Sequence, residues 1–461
     1  MKKKDNSHKR FKPFSYKNLD ELKKEVKRLN LDLTFDTEVD ILKKPIKTLY
    51  LNIPNRLSIQ PMEGFDATLN GSPGELTMRR YLRYANSGAG LIWVEATAVS
   101  ENGKSNPHQL SLREENITEF NKFVSLIRGN CNKTLKSLGF NEECILILQL
   151  NHSGRYSKKE NKMHPIRAFN NPHLDNASDD SERAGHIISD DELKVLESQW
   201  VGKVQLAKNA GFDGVDIKAC HGYLVWDLLE ARTRENSSYG GESLKNRAKF
   251  LLNIIKKSTR LIKSSDKFFL TTRIGAYDGI TYPYGFGVVE EESKEFPAPM
   301  DLSEPLKLIN LLYENGVRLI NLTAGNPHYK PQLTRPFDAP IKGKRLPDEH
   351  PLVSINRIVK MTSEIKNIIP EDLIVIGSGY SYLRQFGGFL AAAMIREKKV
   401  DISGFGRMAF ANPKFPKQLF KDGRLDKNKV CITCSQCSQL MREGKNTGCV
   451  IRDPQYKRNE K

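Results

Sequence analysis

Lys218, His221 and Tyr223 lie within six positions of one another and differ in proton chemistry. An ammonium, an imidazole that titrates near neutrality and a phenol can each donate a proton. They sit in Val215-Asp-Ile-Lys-Ala-Cys-His-Gly-Tyr-Leu-Val-Trp-Asp-Leu-Leu-Glu230. This stretch reads as a short apolar strand breaking off at Lys218, then a loop, then an apolar helical turn. The polar turn Tyr239-Gly-Gly241 follows, with Asn246-Arg247 starting the next helix. Lys218 could alternatively pair with Glu63 or Glu95 in a plain salt bridge. A second constellation is cysteine: Cys431-x2-Cys434-x2-Cys437-x11-Cys449 holds four of the seven cysteines. The first three can wrap one metal centre and the fourth can close it. Four thiolates suit zinc or an iron–sulfur cluster, and spacing alone leaves both open.

These residues need elements to position them. Apolar β-like runs occur at 57–62, 91–96, 144–151, 214–218, 268–274, 317–323, 373–377 and 400–405. Segments of helical periodicity, such as 193–209, 246–262, 306–314 and 354–369, separate them. Eight strands alternating with helices predict a closed parallel barrel, the (β/α)8 or TIM architecture; an open doubly wound sheet is the alternative. The expected divisions are a polar N-terminal extension over 1–48 with one helix near 18–29, a barrel over 49–425, and a four-cysteine segment over 426–461. In such barrels chemistry gathers at the C-terminal strand ends. Those ends carry Pro61-Met62-Glu63, Glu95-Ala96-Thr97, Gln149-Leu-Asn-His152, Lys218 with His221, Arg273, and Asn321-Leu-Thr323 followed by His328. The last two strands end in the glycine-rich turns Ile376-Gly-Ser-Gly-Tyr-Ser381 and Ser403-Gly-Phe-Gly-Arg-Met408, where barrels commonly bind phosphate on backbone N–H groups. The long segment 277–300 reads as a loop of the length used for lids.

Composition narrows the classes of function. No apolar run approaches the roughly 18 residues of a membrane span. The charged start of the chain is followed by no apolar region, so a cytoplasmic, reducing setting is expected. The net charge of +18 is spread along the chain. No basic stripe interleaved with aromatics marks a nucleic-acid surface.

Four stretches resemble the old yellow enzyme family of FMN-dependent oxidoreductases, in particular the branch of 2,4-dienoyl-CoA reductase and trimethylamine dehydrogenase. They are Asn55-Arg-Leu-Ser-Ile-Gln-Pro-Met62, Gln149-Leu-Asn-His-Ser-Gly-Arg155, His221-Gly-Tyr-Leu with Tyr239-Gly-Gly and Asn246-Arg, and Gly404-Phe-Gly-Arg407. The resemblance implies FMN at the barrel mouth, with Pro61, Met62 and Ala96 against the ring, Gln149 at its pyrimidine end and Arg273 near N1. Ser378, Gly379, Gly406 and Arg407 would hold the phosphate. Tyr223 would protonate substrate carbon, His221 would polarise the carbonyl that activates an alkene, and His328 falls near a histidine that assists protonation. Lys218 and Glu63 depart from the commonest pattern. A lysine there favours a carboxylate or phenolate substrate, and Glu63 would oppose negative charge on reduced flavin unless protonated. The resemblance also implies a [4Fe-4S] cluster on Cys431, Cys434, Cys437 and Cys449, ahead of zinc. Larger relatives continue into FAD- and nucleotide-binding domains for which this chain has no room. The expected substrate is a small molecule, with NAD(P)H or a separate electron-transfer protein as reductant. Two other readings are a flavin/iron–sulfur dehydrogenase that oxidises an amine or alcohol, and a zinc-stabilised barrel that serves as an interaction module.

Overall fold

The computed structural model describes residues 11–49, 51–175, 185–263 and 266–457; the charged leader over 1–10 lies outside the described residues. Eight parallel strands close into a barrel in chain order: β1 (Leu57–Ile59), β2 (Leu91–Ala98), β3 (Ile145–Asn151), β4 (Gly214–Ile217), β5 (Phe269–Gly275), β6 (Leu319–Thr323), β7 (Ile374–Gly377) and β8 (Ile402–Phe405). All eight apolar runs read from the sequence hold strands; β2 and β5 run past the expected C-terminal ends, and the other six are shorter than expected. The open sheet is excluded, because β8 pairs with β1 through Ser403 and Leu57.

Closure follows from period-two alternation. Leu91, Trp93, Ile147, Leu319, Ile374, Ile376 and Ile402 point inward and pack as one cluster. Their neighbours Ile92, Val94, Leu146, Leu148, Ile320 and Val375 point outward into a second cluster shared with the helices. The helices of the outer ring include α2 (Glu75–Ala85), α3 (Ile117–Ser137), α4 (Asp190–Asn209), α5 (Lys249–Thr259), α6 (Ser303–Glu314), α7 (Pro351–Ile368) and α8 (Gly387–Arg396). Their starts are chemically marked: Ser189 and Glu192 form a capping box at α4, and Pro351 opens α7, positions suited to those residues. The helix expected over 246–262 is broken at Ala248, between a turn at Leu244–Arg247 and α5. At the break the Arg247 guanidinium turns inward to Leu229 O and Glu304.

The N-terminal segment packs on the barrel. Helix α1 (Leu19–Arg28), capped by Asn18, buries Leu22 and Val26, and Phe14 lies edge-on to Tyr382 at 5.6 Å. A small hairpin pairs Ile46–Lys47 with Asn52–Ile53. Its Ile46 and Ile53 join the inward-facing cluster and plug the barrel floor. The boundary expected at 48/49 falls inside this hairpin. Replacing fully buried Ile53 with alanine is expected to cost about 2–5 kcal/mol. Denaturant unfolding should read this as a lower midpoint at unchanged slope.

Candidate functional site

The inward rows that fill the barrel floor turn polar towards the C-terminal ends. On β3, Ile147 is followed two residues on by Gln149. On β4 the row runs Gly214, Asp216, Lys218; on β5 it runs Phe269, Thr271, Arg273; on β6 it runs Leu319, Asn321, Thr323. The same parity that buries the floor therefore aims these polar groups into the mouth. Gln60 and Asn321 cross the barrel with reciprocal amide hydrogen bonds of 3.2 and 2.7 Å.

Twelve of the residues expected at the site line a single cavity: Pro61, Met62, Ala96, Gln149, Lys218, His221, Tyr223, Arg273, Ser378, Gly379, Gly406 and Arg407. Glu63 lines it as well. His328 lines the adjoining cleft instead, stacked on Tyr156 at 3.8 Å and edge-on to Tyr223 at 5.9 Å.

Lys218 does not pair with Glu95. That carboxylate is taken by Arg80 at 2.7 Å and by the Gly64 N–H at 2.6 Å. Lys218 Nζ stands 3.6 Å from the centre of the Tyr223 ring, a cation–π contact. Burial lowers the Lys218 pKa, and nearby Glu63 opposes that. Burial raises the Glu63 pKa, against the pull of Lys218 and a 3.0 Å hydrogen bond from Ser105 Oγ. Tyr223 is held well above its ordinary value, first by burial and then by Glu63, and so remains a protonated phenol. Burial, followed by the positive charge of Arg273 and Lys218, holds His221 well below its ordinary value, as a neutral imidazole. Its Nε2 is 3.3 Å from Thr323 Oγ1. His221 and Gly222 both adopt left-handed backbone, with φ of +67 and +73. A Cβ on Gly222 would meet the Asn326 side chain at 2.2 Å, and its φ of +73 is one that residues with side chains rarely adopt, so glycine is favoured there. A non-glycine residue held in this region marks strain of the kind found at functional sites.

Several participants carry no sequence signal that separates them. Asp216 is fully buried; it accepts from Gln149 Nε2 at 2.6 Å, Trp93 Nε1 at 2.8 Å and the Arg273 N–H at 2.6 Å. Burial pushes its carboxyl up to about 6, against those three donors. Arg335, from the loop after β6, and Ser438 and Met441, from the C-terminal segment, also line the cavity. Arg407 donates through Nη2 to Pro336 O at 2.8 Å, while its Nη1, Arg335 Nη1 and Arg273 Nε are buried without a partner. Gly379 has φ +101, and a Cβ at Gly404 would strike Gln60 Nε2 at 1.9 Å. Unpartnered cationic donors beside close-approach glycines fit an anionic, phosphate-bearing cofactor.

Cys431, Cys434, Cys437 and Cys449 line one small cavity behind Arg407. All seven cysteines are free thiols. Among the described residues, no group of three or more His, Cys, Asp or Glu is arranged to hold a metal ion. The four cysteines thus face a common space without forming a single-ion site.

A closed parallel barrel with a polar cavity at its C-terminal mouth defines an enzyme of the TIM-barrel class. Residues 42–296, more than half of the chain, match the NADH:flavin oxidoreductase / NADH oxidase family, and the chain belongs to that family. It is 25% identical over 392 residues to an NADH oxidase of Thermoanaerobacter brockii, covering 84% of this chain and 51% of that protein. The chain thus spans about half the length of that relative. By structure it resembles a 2-naphthoyl-CoA reductase in complex with 2-naphthoyl-CoA, with a TM-score of 0.68 at 19% identity over 91% of this chain and 57% of that one. It also resembles the old yellow enzyme homologue of Zymomonas mobilis, with a TM-score of 0.59 at 18% identity over 84% and 94% of the two chains. At such identities the structures establish a shared fold.

Burial holds the His152 imidazole down to about 3; the side chain is 1% exposed and its Nδ1 accepts from the Gly154 N–H at 3.1 Å. An unfolded histidine titrates near 6.5, so between about 6.5 and 3 the unfolded chain binds the extra proton and stability falls as pH falls. At pH 5 this amounts to about 2 kcal/mol. Thermal unfolding between pH 7 and 5 should be less pH-dependent in His152→Asn than in the wild type.

Proposed function

We propose that the chain is an FMN-dependent oxidoreductase that reduces a carbonyl-conjugated alkene, with a nicotinamide nucleotide as reductant. The observation that carries this reading is the convergence of a phosphate-type anion site, an amide-lined wall and a proton-donor trio in one cavity. Arg407, with Ser378, Gly379 and Gly406, would hold the cofactor phosphate. Gln149, with its Nε2 committed to Asp216, has its amide orientation fixed and would present the remaining polar atoms to the ring. Arg273 would supply positive charge to the ring. When bound, the flavin supplies the hydride for the alkene carbon.

The chain's own residues do the rest. His221, neutral and anchored near Thr323, and Lys218, packed on the Tyr223 ring, would together polarise the substrate carbonyl. Tyr223, kept protonated by its surroundings, would deliver the proton to carbon. Lys218 also favours an acceptor that carries a carboxylate or phenolate, and burial biases neighbouring Glu63 towards its neutral form. His328, stacked on Tyr156 beside Tyr223, would assist that proton transfer. The four cysteines are proposed to hold a [4Fe-4S] cluster. A cuboidal cluster spreads its thiolates more widely than one ion does, in keeping with four sulfurs around a cavity that forms no single-ion site. Such a cluster would let a partner protein exchange electrons with the flavin. A cytoplasmic setting belongs to the same reading; among the described residues no helix is long and apolar enough to cross a membrane.

Anaerobically purified protein should show a flavin spectrum together with iron and sulfide. A colourless protein would overturn the reading, and flavin without iron would remove the cluster from it. In stopped flow, Tyr223→Phe should slow reoxidation by an alkene acceptor by about 10²- to 10⁴-fold and leave reduction of the flavin nearly unchanged. Equal losses in both half-reactions would remove Tyr223 from proton delivery.

A further inference from the structure

Tyr223 lines the site cavity, and its hydroxyl makes no hydrogen bond to any of the described residues. The direction of that hydroxyl is therefore set by whatever holds the ring. Lys218 Nζ lies 3.6 Å from the ring centre. Tyr156 and His328 meet the ring edge-on, with centroids 6.0 and 5.9 Å away at 90° and 79°. Those two rings are stacked on one another at 3.8 Å and 17°. They form a two-ring plate drawn from different loops, Tyr156 after β3 and His328 after β6. Stacked rings can slide, and a directional hydrogen bond is what fixes them.

That bond comes from Asn326, buried in the loop after β6. Its Oδ1 accepts from the His328 N–H at 2.9 Å. A backbone N–H can only donate, so the orientation of the amide is settled and Nδ2 points the other way. Nδ2 donates to the Tyr156 hydroxyl at 2.7 Å. The same amide presses on the left-handed turn between His221 and Tyr223: a Cβ at Gly222 would stand 2.2 Å from Asn326 Nδ2 and 3.2 Å from Tyr156 Cε2. One buried side chain thus joins the loops after β3, β4 and β6 around a single phenol. An amide has no proton to exchange near neutral pH, so its contribution is geometric.

We propose that Asn326 is a positioning residue: its amide locks the Tyr156–His328 plate, and the plate aims the Tyr223 phenol at the reacting carbon. The role in proton delivery rests on the functional reading given above; the three-loop clamp itself does not. The clamp has a readout of its own. Burial, followed by the positive charges of Arg442, Lys218, Arg335 and Lys158, holds the His328 imidazole down to about 3. Those charges all oppose protonation, so water reaching a loosened ring would raise the value towards the roughly 6.5 of a free histidine.

Two mild variants test the clamp from either side. Asn326→Ser keeps an oxygen able to accept from the His328 N–H and removes the donor to Tyr156. Tyr156→Phe keeps the stacked ring and removes the acceptor. In stopped flow of the flavin-loaded protein with cyclohexenone or cinnamate as acceptor, each should lower the limiting rate of reoxidation by about 10- to 10²-fold. The acceptor concentration at half-saturation and the rate of flavin reduction should stay near those of the wild type, and the solvent isotope effect on reoxidation should rise. The double variant should lose no more than either single variant, because both remove the same bond. In histidine-labelled protein followed by NMR from about pH 8 to 5, His328 should stay flat in the wild type and titrate in both single variants. Additive losses, equal losses in both half-reactions, or a flat His328 signal in both variants would each overturn the proposal. If His328 titrates as expected but neither acceptor reoxidises the wild-type flavin, the clamp stands and the alkene reading falls.

Discussion

The buried carboxyl of Asp216 is the tie on which the mouth of the barrel depends. It joins an indole on β2, an amide on β3 and a backbone N–H on β5, spanning four adjacent strands from its own place on β4. Each donor is itself buried, so each would be left unsatisfied without the carboxyl, and each helps stabilise the charge against the burial that opposes it. The site groups hang from this tie. Gln149 is oriented by it directly, Arg273 starts from the strand it secures, and Lys218 is the next inward residue on the same strand. A cavity lined by a neutral histidine, a partly suppressed lysine charge and a protonated tyrosine is therefore a consequence of burial imposed by the barrel, with one polar knot holding the geometry.

A second layer of constraint is charge assignment around the rim. Arg80 is sandwiched between Asp66 and Glu95, each at 2.7 Å, which removes Glu95 as a partner for Lys218. Glu63 is left as the acid beside the lysine, and both are displaced from their ordinary protonation behaviour by the same low-polarity surroundings. The departures at positions 63 and 218 therefore act on one another electrostatically within one cavity.

The barrel was legible in the sequence because strands buried on both faces must read as apolar runs, and all eight did. The site residues were legible for a related reason: they continue the inward parity of those runs into loops with distinctive residue types, such as Lys218-Ala-Cys-His-Gly-Tyr223. What stayed hidden depends on distance along the chain. Arg335 sits in an irregular loop with no periodicity to place it. Ser438 and Met441 reach the cavity only because the C-terminal segment folds back, held by Arg79 and Arg83 on Asp453 and by the Thr447 N–H on Gly64 O. Ile46 looks like part of a polar extension, and Ile53 like a lead-in to the barrel, until the hairpin brings both under the strands. Asp216 was visible as a residue, but its three partners come from three other strands.

The return of the C-terminal segment to the mouth has a thermodynamic consequence. Residues from Gln60 to Met441 must meet before the cavity is whole, so the pocket is among the most non-local features of the chain. A ligand that needs the complete wall binds only chains in which this segment is docked. Its binding free energy is then added to the docking equilibrium, by RT ln(1 + [L]/Kd). Saturation of the pocket should therefore tighten residues near 430–455 against local opening, including a cysteine cavity that the ligand does not line. Occupancy at the barrel mouth and order in the thiol segment are in this way two readings of one equilibrium.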